Sequence, residues 1–102
     1  MVRPRTQLHE ILTAIPGVEA VYFQSPGAEK MQYPCIVYQR DATDVQFADD
    51  IPYRRMTRYQ VTVIDRNPDS EVPDNVANLQ YCIFARFFAA NNLNHDVFTL
   101  YF

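Results

Sequence analysis

Leu93-Asn-His-Asp-Val-Phe-Thr-Leu-Tyr-Phe102 is the stretch that decides how this chain folds. Apolar and polar residues alternate along it, the period-two signature of a strand with one face in a core. Phe98, Leu100 and Phe102 share that face. Chain ends ordinarily fray, so an end built of these residues is expected to be pinned in a sheet or against a partner. Just before it, Asn91-Asn-Leu-Asn reads as a turn, because asparagine tolerates left-handed backbone. Residues 84–90 fit either the end of a helix or a strand.

Working further outward, Leu8, Ile11, Leu12 and Ile15 recur at helical spacing. Thr6 is the expected N-cap, and Pro16-Gly17 stops the run. Val18 to Phe23 is a short strand, followed by a turn-rich loop over residues 24–30. Tyr33 to Gln39 is a strand opened by proline, which suits a first-residue or edge position. A longer strand runs from about Tyr53 to Ile64, with Tyr59, Val61 and Val63 on one face. The two strands read as an antiparallel hairpin with an extended polar tip. A second helix follows, capped by Ser70, with Pro73 in its first turn and Glu71 and Asp74 near its positive end. Its stripe is Val72, Val76, Leu79 and Ile83, with Cys82 beside it. The expected fold class is therefore α+β: one domain over 1–102, a mainly antiparallel sheet with two flanking helices and a long extended hairpin.

The totals exclude several function classes. With 102 residues, 48% of them hydrophobic, the chain can bury a core holding ~60–65% of its unfolded surface. A net charge of −3 and a pI of about 5.2 give no general attraction to nucleic acid or anionic membrane. No apolar run approaches the ~20 residues of a membrane span, and Met1-Val-Arg-Pro-Arg5 is followed by no signal-like core. Cys35 and Cys82 fall on different elements, in a strand and a helix, and lack metal or thioredoxin-type spacing. They are expected to be free, buried and reduced.

No constellation of catalytic type stands out, and no catalytic, cofactor-binding or metal residues are assigned. His9 and His95 have no spacing that brings them to each other or to a carboxylate cluster, and His95 is expected to hydrogen-bond in its turn. Asp41, Asp44, Asp49 and Asp50 lack the alternating ligands, glycine and closing glutamate of a calcium loop, and suit a solvated tip. Tyr53-Arg-Arg-Met-Thr-Arg-Tyr59 interleaves basic and aromatic residues as nucleic-acid surfaces do. On a strand, however, Arg54 and Arg58 point away from Arg55, so no single basic platform forms. Placed after the aspartates, these arginines better suit charge-assisted pairs across a protein interface. Phe and Tyr make up 14% of the chain, too many for a domain of this size to bury easily. Tyr22, Tyr33, Tyr38 and Tyr53 are the candidates for exposure, as interface cores enrich such residues. The interface expected from sequence comprises Asp41, Asp44, Phe47, Asp49, Asp50, Tyr53, Arg54, Arg55 and Arg58.

Several segments also resemble one family. Tyr33-Pro-x-Ile-Val-Tyr38, Ala48-Asp-Asp50, Arg58-Tyr-x-Val-Thr-Val-Ile-Asp65, Asp69-Ser70 and the run from Asn92 to Phe102 are similar to tail terminator (tail completion, head–tail joining) proteins of long-tailed bacteriophages. The resemblance implies a structural virion protein without enzymatic activity or cofactor, forming a ring, usually of six copies, on top of the tail tube. Such a ring ends tube polymerisation and docks head-completion or connector proteins. Its partners would be itself, the tail tube protein and the connector, with DNA only passing through the lumen and no membrane contact. It would assemble in the host cytoplasm and reside in the neck or tail of the virion. It further implies that Ala48, Asp49 and Asp50, on the hairpin tip, meet ring or tube. A head-closure or adaptor protein of the neck, and a small nucleic-acid-binding module using Arg54, Arg55 and Arg58, are the alternatives.

Overall fold

A computed structural model describes residues 4–24, 31–45 and 56–102. The order is α1 (Arg5–Thr13), β1 (Ala20–Phe23), β2 (Cys35–Val45), β3 (Met56–Asp65), α2 (Val72–Ala77), β4 (Cys82–Ala90) and β5 (Leu93–Tyr101). The strands form a five-stranded sheet in the order β1-β2-β3-β5-β4. Only β1 and β2 pair in parallel; the other neighbours are antiparallel. The α+β class and mainly antiparallel sheet with two helices are as expected. Antiparallel pairing of β2 and β3 extends from Cys35–Ile64 out to Val45–Met56, with register shifts on either side of Ala42. The expected hairpin tip lies outside the described residues.

Period-two alternation sorts the sheet into two faces. Ile36 and Tyr38 of β2, Tyr59, Val61 and Val63 of β3, and Phe98 and Leu100 of β5, together with Phe102, point to the helices. There they meet Leu8, Leu12 and Ile15 from the first helical segment and Val72 and Val76 of α2. Aromatic rings run through this layer, with centroids 5.2 Å apart for Phe23–Tyr38 and 5.9 Å for Tyr38–Tyr59, within the favourable range for tilted pairs. The opposite face is more polar, carrying Gln39, Gln60, Thr62 and Thr99, with Cys35, Ile64 and Val97 as its buried apolar members. β5 has an interior place, between β3 and β4, in keeping with the burial of Phe98 and Leu100 on its core-facing side.

Several expectations need correction. The N-cap of α1 is Pro4, not Thr6, and no side chain caps it; proline's fixed φ suits a helix start without one. β2 continues six residues past Gln39 into the polar run, because pairing with β3 supplies its backbone bonds despite weak strand propensity. α2 ends at Ala77, so Ile83 and Cys82 do not extend its stripe. They open β4 instead, and Cys82 lies on a strand, not a helix. Tyr81, with φ of 61°, makes the turn into that strand. Ser70 does contribute at the start of α2: its Oγ accepts the Val72 N–H at 3.2 Å, although Glu71 occupies the N-cap position. Asn91 and Asn92, with φ of 54° and 62°, form the two-residue turn between β4 and β5, the left-handed pair that such tight hairpins require.

Candidate functional site: an apolar edge strand

β4 ends the sheet on one side, and its composition is unusual for that position. Its sequence, Cys82-Ile-Phe-Ala-Arg-Phe-Phe-Ala-Ala90, carries a single charge and no proline. Edge strands are normally short, charged or interrupted to discourage pairing with another chain. Here Ile83, Phe84, Phe87 and Phe88 are 61%, 53%, 54% and 40% exposed, and the adjoining Tyr81 is 41% exposed. Only a register shift between Phe84 and Arg86 breaks the ladder with β5.

The shift distributes the side chains. Before it, Cys82 and Phe84 lie on the helix-bearing face; Phe84 meets Phe98 edge-on, with centroids 5.6 Å apart at 78°. After it, Arg86 pairs with Val97 and Phe88 with His95, so both join the polar face. Phe88 stacks on His95 at 4.5 Å and 12°, and the Arg86 guanidinium lies 5.8 Å from the Phe88 centroid. This arrangement holds Phe88 and Arg86 in place without covering them. Both faces of the strand therefore carry exposed side chains.

The sequence-expected interface sits at the other end of the β2–β3 pair. Phe47, Asp49, Asp50, Tyr53, Arg54 and Arg55 lie outside the described residues, and Asp44 is described in its backbone alone. Arg58 and Asp41 are brought together: Arg58 Nε is 3.1 Å from Asp41 Oδ2, with both side chains about 40% exposed. Since Nε makes no hydrogen bond, the contact is electrostatic and not directional. At this exposure such a pair contributes little, about 0–1 kcal/mol. These two opposite charges partner one another within a single chain.

Among the described residues the exposed aromatics are Tyr81, Phe84, Phe87 and Phe88, and of those named from sequence Tyr38 is the one the structure contradicts. Tyr38 is fully buried, while Tyr22 and Tyr33 are half-buried and Tyr53 is outside the described residues. The Tyr38 hydroxyl accepts from Arg5 Nη1 at 2.9 Å and meets His9 Nδ1 at 2.8 Å. That pairing is what allows a phenol at the centre of the sheet. A short, β-prone apolar run bounded by Tyr81 and Asn91-Asn92 could have revealed β4, but the preceding Val72/Val76/Leu79 stripe extends at helical spacing to Ile83 and masks it.

Other chemistry-bearing groups have structural surroundings. His95 Nδ1 lies 3.2 Å from Leu93 O, the local contact expected of it. Both cysteines are free, Cys35 buried and Cys82 half-buried, and burial pushes each thiol up to about 11; the nearby Asp65 charge adds to the effect at Cys35. Asp96 is also raised, mainly by burial and then by the Asp74 charge, with His95 opposing. Among the described residues no cluster of His, Cys, Asp and Glu could hold a metal ion, and no helix is long and apolar enough to cross a membrane.

Comparison with known proteins adds no relative. No family model, curated protein or solved structure matches the chain.

Proposed function

We propose that the chain is a structural assembly protein that forms a ring at the top of a long-tailed phage's tail tube, ends tube growth and joins tail to head. The observation carrying this reading is β4: a nine-residue, nearly uncharged edge strand with large exposed side chains. Contiguous exposed apolar surface of this kind marks protein–protein contact. The resemblance in residues 33–38, 48–50, 58–65 and 92–102 supplies the particular assembly.

The β2–β3 pair supports a division of labour. The two strands stay paired as far as Val45–Met56. In this reading residues 46–55 close the pair as an extended hairpin whose tip contacts tube or neighbouring subunit. A net charge of −3 suits a lumen through which DNA slides, since a basic wall would retain phosphate.

The test is to add purified protein to the tail tube protein while tubes polymerise. The expected result is six-fold rings at tube ends and shorter tubes. Unchanged tube length with no protein at the ends would reject the terminator role. Binding to the connector alone would favour the head-closure alternative, and DNA affinity falling steeply with salt would favour the nucleic-acid module.

A further inference from the structure

We infer that the partner covering β4 is the β1 edge of a second copy of this chain, which continues the sheet from one subunit into the next. This rests on the self-assembly reading above and specifies its contact. The two ends of the sheet differ: β4 at one edge, the four-residue β1 at the other. Following the pairings across the sheet, β1 and β4 run in opposite senses. A neighbour's β1 laid beside β4 therefore forms an antiparallel ladder, and the contact is head-to-tail, the type that can close into a ring.

Side chains select the register. With Val21 opposite Phe84, Tyr22 falls opposite Ile83 and Phe23 opposite Cys82. In the single chain Val21, Phe23, Cys82 and Phe84 are all on the helix-bearing face, and period-two alternation puts Tyr22 and Ile83 on the other. Every cross-copy pair is thus apolar against apolar on a common face, and a one-residue slip would break all three. Arg86 is the only charge on β4, and alternation places the exposed Glu19 of the neighbouring copy on the other face of the sheet from it. Pairing β4 with β4 of another copy would bring two such arginines near each other with no carboxylate between. The five exposed apolar side chains from Tyr81 to Phe88 present about 500 Å², taking ~200 Å² for each at full exposure.

Disulfide trapping tests the register. In a Cys82→Ala background, Tyr22→Cys and Ile83→Cys together should give, on mild oxidation, a ladder of linked multimers on a non-reducing gel, whereas either cysteine alone should not. The Phe84→Glu variant should keep the circular dichroism of the parent and weaken self-association at least ~30-fold, the loss of one strong contact. Assembly that proceeds without cross-linking, or that survives Phe84→Glu, overturns the β1–β4 contact but leaves the ring reading standing. A ladder from a protein that never affects tube length does the reverse. A protein that stays monomeric at high concentration, with and without tube protein, overturns both.

Discussion

At the scale of single residues, Tyr38 shows how a polar atom is tolerated inside an aromatic layer. Arg5 can only donate, so the phenol proton is free to reach His9 Nδ1 when that nitrogen is unprotonated. Tyr38→Phe should cost about 1 kcal/mol in denaturant unfolding, the net worth of a typical hydrogen bond; an unchanged midpoint would mean water replaces it fully. Phe98 has no such alternative. It is buried between neighbouring strands and carries Phe84 on its edge, so Phe98→Ala should lose about 3–5 kcal/mol. Asp96 supplies a pH signature. Its folded-state carboxyl titrates above the ordinary value because of burial and Asp74, so the folded chain holds this proton more tightly than the unfolded chain. Asp96 therefore opposes folding as pH rises past the normal carboxylate range near ~3.9. Asp96→Asn should raise the melting temperature at neutral pH, with the gain vanishing well below that range. An equal gain at all pH values would place its origin elsewhere.

At the scale of elements, the tight turn between β4 and β5 depends on two successive left-handed residues. Replacing Asn92 by valine, whose branched Cβ disfavours positive φ, should cost about 1–2 kcal/mol; glycine there should be tolerated. A thermal shift series over these substitutions would check it. The turn was legible in the sequence because Asn-Asn has few other uses between apolar runs. So were β3 and β5, whose core-facing residues recur at every second position even though Ile64 and Val97 are buried on the other face, and α1, whose stripe has one interpretation. β4 was not. Val72, Val76, Leu79 and Ile83 fit a helical period, and only tertiary pairing with β5 decides that the helix ends at Ala77. The same competition hid the candidate site, since Ile83 joined the helical stripe and residues 84–90 fitted either a helix end or a strand. The β2 extension was missed for a related reason: residues 40–45 are polar, and their strand conformation comes from β3 across the ladder.

At the scale of the whole molecule, the free subunit should behave as a protein with one adhesive edge. Ile83→Lys with Phe87→Lys, both at exposed positions, should leave stability nearly unchanged and raise solubility, read by light scattering during concentration. Loss of the native fold in that variant would show that β4 is held more by its own apolar contacts than its exposure implies. The strand order also carries a consequence for how the chain matures. β1, β2 and β3 are contiguous in the first two-thirds of the sequence, but the inner edge of β3 is completed only by β5, the last strand made. Until residues 93–101 leave the ribosome, Tyr59, Val61 and Val63 sit beside an open ladder, and no local pairing can close it. The last hairpin must dock as a unit against a waiting edge. A chain cut before residue 93 would therefore leave the β3 edge without its neighbour, a state prone to misassembly.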